Sequence, residues 1–174
     1  MAKKKLPASD RIVPCVVFGQ SGPENTGQAL EAARSRADEL GIRNIVVAST
    51  SGKTGLLAAR MFQGKNVVVV THSTGYQRPD HQEFKPDLRR KIEALGARIL
   101  TCQHAFGGVG RAVRKKLATY ELEEIIAYTL RVFGEGAKVA IEVAVMAADA
   151  GLISTRELCL AIGGTSWGAG TALL

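Results

Sequence analysis

The sequence predicts an α/β fold, a three-layer α/β/α sandwich on a mainly parallel sheet of five or slightly more strands. Short runs of β-branched and other apolar residues alternate with segments that have the apolar spacing of helices. The runs are apolar without interruption, which is typical of parallel strands covered on both faces. We expect one domain at residues 11–174, preceded by a flexible basic tail at residues 1–10.

The predicted elements follow one another in regular order. The predicted strands are residues 13–18, 44–48, 66–71, 97–102 and 158–162. The predicted helices between them are residues 27–40, 55–62 and 87–95, two of which end directly before a glycine, and a longer helical region follows residue 110. We expect that region to break near residue 119 and near residues 134–136. Its last piece, residues 138–150, is apolar nearly all round and predicts a buried helix.

Composition excludes several classes of protein. No apolar run approaches the roughly 18 residues that a membrane span needs, so we expect no membrane partner. The net charge of +7 could indicate nucleic acid, but its basic clusters are short and no aromatic residues interleave with them, so we expect no nucleic-acid partner. Cys15, Cys102 and Cys159 lack metal-ligand spacing, which predicts buried reduced thiols in a cytoplasmic protein and no metal.

Polar loops follow all five predicted strands. Because parallel strands bring their carboxyl ends to one edge of the sheet, where ligands bind, these loops should form one surface. Each is rich in Gly, Ser, Thr, His or Asn, whereas the connections at the opposite edge are short and plain. The sequence therefore predicts a polar, glycine-lined pocket made by residues 20–26, 49–55, 71–76, 101–108 and 163–170.

The loop at residues 49–55, STSGKTG, ends like the phosphate loop of an ATPase. That loop needs a glycine five positions before its second glycine, and Val47 stands there instead. A cradle for a single phosphate remains, in which Ser49, Thr50, Ser51 and Thr54 offer hydroxyls, Gly52 exposes backbone amides and the following helix presents its positive end. Lys53 can add a charge. The alternative is that a hydroxyl only caps the helix.

Two histidines directly follow strands and are candidates for acid–base work. His72 and His104 should face the same crevice, although a strand-end histidine can also be purely structural, and His81 in a charged loop should simply be exposed. Cys102 should share a face with His104, as a packed cysteine or as a thiolate partner. Glu24 and Asn25 can bind a ligand hydroxyl or ring edge, or compensate a helix dipole.

The stretch VVASTSGKTGLLAARMFQGKNVVVVTH at residues 46–72 resembles the C-terminal domain of pyruvate kinase. In that domain a strand, a Ser/Thr-Gly loop and a helix with an Ala-Arg pair hold the phosphate of an allosteric sugar bisphosphate. The chain is more similar still to free-standing archaeal and bacterial relatives of the domain, with which it shares six motifs in order. They lie at residues 22–26, 49–54, 71–76, 101–107, 142–153 and 161–165.

The resemblance implies the fold of that domain and a phosphate held by residues 49–54. It does not imply kinase activity, because the catalytic barrel of pyruvate kinase has no counterpart in these 174 residues. Some relatives are suited to flavin mononucleotide (FMN) or a similar phosphorylated ligand, which the nearby Tyr76, Phe106 and Trp167 would fit. The polar loops and the resemblance together predict sixteen ligand-binding residues. They are Glu24, Asn25, Thr26, Ser49, Thr50, Ser51, Gly52, Lys53, Thr54, Thr71, His72, Gly75, His104, Gly163, Gly164 and Thr165.

The chain departs from these relatives in two ways. Relatives carry G-R-G-A-D-T-A after their G-G-T motif, whereas residues 166–172 read SWGAGTA and lack the arginine and the aspartate. Relatives also continue with a final edge strand and helix beyond the position of Leu174. We therefore expect the sheet edge to be incomplete or covered by a second subunit, which suggests a homo-oligomer.

Three functions follow from these observations. The first is a cytoplasmic binding protein or sensor for a phosphorylated small molecule, either FMN or a sugar phosphate. The second is an enzyme that acts on a phosphorylated metabolite or depends on a flavin, with His72 or His104 as acid–base and Lys53 as phosphate clamp. The third is a regulatory or structural partner of another enzyme.

Overall fold

The computed structural model describes residues 13–165 and 167–174, and this part of the chain contains five strands and six α-helices. The strands are β1 (Asn44–Ala48), β2 (Asn66–Val70), β3 (Arg98–Leu100), β4 (Cys159–Gly163) and β5 (Thr171–Leu173). The helices are α1 (Thr26–Leu40), α2 (Lys53–Met61), α3 (Pro86–Ala94), α4 (Val109–Leu117), α5 (Leu122–Leu130) and α6 (Glu135–Asp149). The predicted tail at residues 1–10 lies outside the described residues.

The sheet is mainly parallel, with the strand order β3-β2-β1-β4-β5. Strands β1 to β4 are parallel, and β5 pairs antiparallel with β4 at the edge. From β1 the chain adds β2 and β3 on one side, then passes through α4, α5 and α6 to add β4 on the other side. The direction of strand addition therefore reverses between β1 and β4, which opens a crevice at their carboxyl ends.

Two apolar layers bury the two faces of the sheet. Alternation along β1 sends Ile45 and Val47 to the face that α1, α2 and α3 cover, and Val46 to the face that α6 covers. Helix α6 comes close to β4 because both present glycines: a Cβ on Gly163 would lie 2.5 Å from the carbonyl oxygen of Gly136. The predicted α/β/α sandwich is confirmed.

The strand predicted at residues 13–18 is wrong. The segment is irregular, and Val17 is 87% exposed. Its β-branched residues favour an extended chain, but a strand also needs a partner, and both sides of β1 are already occupied by β2 and β4. The loop at residues 20–26 therefore does not follow a strand. It reaches the same edge of the sheet through α1, because the N–H of Ala169 donates to Thr26 Oγ1 at 3.0 Å.

The other elements lie close to their predicted positions. The long helical region breaks after Leu117 and around Gly134, as expected, and the buried helix is α6. Strand β5 was not predicted, and it forms the edge beside β4. Among the described residues, no helix has the length and apolar character required to cross a membrane.

Candidate functional site

A cavity of about 860 Å³ lies at the carboxyl ends of β1, β2 and β4. The turn after β1 and the loop after β4 form two of its walls, and α6 forms a third. The cavity thus occupies the crevice where strand addition reverses, the usual ligand position in open α/β sheets. Its volume falls within the range of about 300–1,000 Å³ typical of small-molecule sites.

Most of the predicted ligand-binding residues line this cavity. They are Thr26, Ser49, Thr50, Ser51, Lys53, Thr54, Thr71, His72, His104, Gly164 and Thr165. The structure does not bring the remaining ones to its walls. Glu24, Asn25, Gly52 and Gly163 lie outside the lining, and Gly75 lines a second cavity of about 640 Å³ on the other side of Tyr76.

The turn between β1 and α2 leaves backbone amides available at the cavity. Ser49 is buried, and its Oγ accepts the N–H of Gly55 at 3.0 Å, so the capping interpretation is correct for this hydroxyl. The first bond within α2 runs from the N–H of Leu56 to the carbonyl of Gly52. By helix geometry, the amides of Gly52, Lys53 and Thr54 then have no acceptor within α2, and they form its positive end.

Gly52 is required by this turn and by the packing behind it. Its φ of 95° is rare for any residue with a side chain. A Cβ there would lie 3.0 Å from Leu88 Cβ and 3.1 Å from the ring of Phe84. The glycine therefore serves the backbone and the contact with α3, and its contribution to the cavity is indirect.

His72 connects a hydroxyl in the cavity to a carboxylate. Its Nδ1 lies 2.8 Å from Glu83 Oε2, and its Nε2 lies 3.4 Å from Thr50 Oγ1. The ring of Tyr76 stacks on the imidazole with centroids 4.0 Å apart. Because a carboxylate only accepts, Nδ1 carries the proton and Nε2 is the acceptor in the neutral ring. Sequence reasoning missed Glu83, which looks like an ordinary loop charge.

His104 is held differently, by groups that occupy both ring nitrogens. Its Nε2 accepts the N–H of Ser73 at 3.3 Å, and its Nδ1 lies 3.8 Å from Glu142 Oε1. This arrangement fixes the ring as part of the cavity wall and leaves His72 as the better acid–base candidate. His81, predicted to be exposed, is half-buried, contacts Arg78 at 3.3 Å and lines neither cavity.

A buried ion pair on α6 forms the floor of the cavity beside His104. Lys138 Nζ lies 2.6 Å from Glu142 Oε2, and Glu142 Oε1 accepts the N–H of Phe106 at 3.0 Å. Burial by itself would raise the pKa of Glu142, but hydrogen bonds and charge from His104 and Lys138 outweigh it and lower this pKa to about 2. A charged pair four residues apart in an otherwise apolar helix was the sequence signal for this site, and it was missed.

Part of the cavity lining is apolar. It is formed by Val139, Val143 and Met146 of α6, and Trp167 stands at the rim with 60% of its surface exposed. Arg131 and Glu135 at the same rim are paired with each other at 2.5 Å. The cavity therefore combines polar groups at the start of α2 with apolar side chains on α6, beside the Lys138–Glu142 pair.

The cysteines differ from the sequence expectation. Cys15 is exposed, not buried, because the segment that carries it is not a strand. Burial raises the pKa of Cys102, and the charge of Asp149 raises it further, which disfavours a thiolate partner for His104. Among residues 13–165 and 167–174, no group of three or more His, Cys, Asp or Glu is arranged to hold a metal ion.

Comparison with known proteins gives a family and a distant structure. The family model "Pyruvate kinase, alpha/beta domain" matches residues 28–173. Among solved structures, the chain is similar to the NH3-dependent NAD synthetase from Campylobacter jejuni in complex with the nitrate ion, with 11% identity and a TM-score of 0.35. That match covers 78% of this chain but only 54% of the synthetase. The family match extends over most of the chain and includes all five strands, and the chain belongs to the pyruvate kinase alpha/beta domain family.

Proposed function

We propose that the protein binds a phosphorylated small molecule in the cavity, in a sensor or regulatory role. The phosphate would lie at the start of α2, and the organic part would lie along α6. The observation that carries the proposal is the pair of amides at Lys53 and Thr54, which have no acceptor within α2 and belong to residues that line a cavity of ligand size.

The cations around the cavity support this position for the phosphate. Lys138 and Arg131 are each paired with a glutamate. Lys53 is exposed, lines the cavity and takes part in no ion pair with the residues that the structure describes. Its ammonium group is therefore available for a charge-assisted hydrogen bond to a phosphate oxygen at the same end of the cavity as the amides.

The distribution of polar and apolar walls favours a ligand with a flat apolar part. Hydroxyls and amides at the start of α2 and apolar side chains of α6 line the same cavity, and Trp167 can cover a ring at the rim. FMN has a phosphate at one end and an aromatic ring system at the other, and the residues present fit both parts. We therefore propose FMN as the first ligand to test, with sugar phosphates second.

The test is a titration that separates the phosphate from the ring. FMN and riboflavin, which lacks the phosphate, are titrated into the protein while flavin fluorescence is measured. We expect FMN to bind at least about tenfold more tightly, a difference of about 1.4 kcal/mol. Lys53→Ala should weaken FMN binding by a similar factor, whereas Lys116→Ala on the exposed side of α4 should not. No binding of FMN or of sugar phosphates at millimolar concentration would overturn the proposal.

The cysteines support a reducing compartment such as the cytoplasm. Cys15, Cys102 and Cys159 are all free thiols. Burial raises the pKa of both Cys102 and Cys159, which keeps these two in the less reactive protonated form. We propose the cytoplasm as the site of action on this basis.

A further inference from the structure

A threonine hydroxyl, an imidazole and a carboxylate stand in a row at the phosphate end of the cavity. Thr50 Oγ1 lies 3.4 Å from His72 Nε2, and His72 Nδ1 lies 2.8 Å from Glu83 Oε2. Thr50 and His72 both line the cavity, while the side chain of Glu83 is only 11% exposed. The order hydroxyl, base and orienting carboxylate is the one by which enzymes activate a nucleophile.

The carboxylate determines which way the hydroxyl proton points. Glu83 accepts the proton on Nδ1, so the lone pair of Nε2 faces Thr50 and the threonine hydroxyl donates to it. The side-chain amide of Gln82 donates to the carbonyl oxygen of His72 at 3.0 Å and further fixes this residue. A separation of 3.4 Å between the hydroxyl and the base is within the looser range of nucleophile–base pairs without substrate.

The nucleophile also stands beside the proposed position of the phosphate. Thr50 lies between the end of β1 and the amides of Lys53 and Thr54, three residues before the first of them. Those amides and Lys53 would stabilise charge on the oxygens of a phosphoryl group while Thr50 Oγ1 approaches the phosphorus. His104 does not compete for the role of base, because the N–H of Ser73 already donates to its Nε2.

We propose that Thr50 is the nucleophile of a phosphomonoesterase, with His72 as general base and Glu83 as positioning residue; this rests on the proposed function. Thr50 Oγ1 bonds to the phosphorus and gives its proton to His72 Nε2 while the ester P–O bond breaks. The proton reaches the leaving alkoxide through water, which releases the alcohol. A second water then gives its proton to Nε2 and attacks the phosphorus. The Oγ1–P bond breaks, Thr50 regains its proton, and inorganic phosphate leaves.

The experiment measures phosphate release from p-nitrophenyl phosphate and from FMN. Acid-quenched samples are digested and analysed by mass spectrometry for phosphate on Thr50. Thr50→Val should lower phosphate release by about 10²–10⁴-fold, while Thr50→Ser, which keeps a hydroxyl, should retain it. Thr129→Val on α5 is the matched control, since the Thr129 hydroxyl donates to the carbonyl of Ile125 in its own helix and the residue lies outside both cavities.

Glu83→Gln separates positioning from binding. A glutamine amide can donate to Nδ1, which places the proton on Nε2 and removes the acceptor for Thr50. We expect kcat to fall by about 10²-fold or more while KM stays within about twofold. Glu93→Gln, which removes an exposed carboxylate on α3, should leave both constants unchanged.

The outcomes separate this inference from the proposed function. Phosphate release that Thr50→Val removes and Thr50→Ser keeps supports the inference. FMN binding without phosphate release, or release that is equal in wild type and Thr50→Val, overturns it and leaves the proposed function standing. If p-nitrophenyl phosphate is not hydrolysed and neither FMN nor sugar phosphates bind at millimolar concentration, both are overturned. Thermal unfolding of each variant shows whether the lost activity reflects lost folding.

Discussion

Glu142→Gln tests the buried ion pair on the floor of the cavity. The substitution keeps the shape of the side chain and its acceptor for the N–H of Phe106, but it leaves the ammonium of Lys138 buried without its carboxylate. Removing one partner of a buried pair costs roughly 3–5 kcal/mol of stability. We expect a loss of that size in the free energy of unfolding at pH 7, measured by urea denaturation. Glu93→Gln in an exposed pair should change it by less than about 1 kcal/mol.

The pH dependence gives a second measure of the same pair. The pKa of Glu142 falls from an ordinary 4.5 to about 2 in the folded protein. A carboxyl with a lowered pKa stabilises the fold above its unfolded pKa, and this stabilisation disappears as the pH falls through the folded value. The free energy involved is roughly 3 kcal/mol. The free energy of unfolding of the wild type should therefore fall by this amount between about pH 5 and pH 2. The Glu142→Gln variant should not show this decrease.

A double-mutant cycle shows whether the two side chains act as a pair. Lys138→Met removes the cation but leaves His104 beside Glu142. We expect the double variant Lys138→Met/Glu142→Gln to lose less free energy of unfolding than the two single variants lose in sum, by at least about 1 kcal/mol. Strictly additive losses, together with parallel pH curves for wild type and Glu142→Gln, would refute this account of the cavity floor.

Two further predictions concern the turn after β1 and the surface of α5. Gly52→Ala should lower the free energy of unfolding more than Gly64→Ala. Both positions have positive φ, but of the two only a Cβ at Gly52 meets neighbouring atoms, at about 3 Å. Equal losses in the free energy of unfolding, measured by urea denaturation, would contradict this. Helix α5 exposes Tyr128 and Ile125, a surface that a second copy of the chain can cover. Tyr128→Glu should lower the mass by light scattering to that of one chain, and a monomeric wild type would refute this expectation.

The local pattern of apolar residues was sufficient to predict the strands that are buried in the centre of the sheet. The runs that became β1 and β2 are apolar throughout and end in polar loops, so both strands and the edge that carries the site could be predicted. The run at residues 13–18 has the same local character but pairs with no strand. Strand β5 shows the converse, because its three residues become a strand only by pairing with residues 161–163. Pairing depends on distant segments, which a single sequence does not reveal.

Polar residues at the strand ends could be predicted as a group but not in their roles. Ser49 closes the turn after β1, and Thr26 and Thr71 bond to backbone or to another hydroxyl. A hydroxyl already used in this way offers less to a ligand than its position in the cavity suggests. Composition therefore identified the edge of the sheet, and only the contacts distinguished the hydroxyls that hold the fold from those that face the cavity.

The two histidines show why the contacts decide the chemistry. His72 and His104 both follow strands, both line the cavity, and their rings lie 5.5 Å apart. His72 contacts the carboxylate of Glu83 in the following loop, whereas His104 lies near the carboxylate of Glu142 on α6. The second ring nitrogen of His72 faces the hydroxyl of Thr50. The second ring nitrogen of His104 already accepts the backbone N–H of Ser73. We therefore expect any proton transfer at His72 and a structural role for His104.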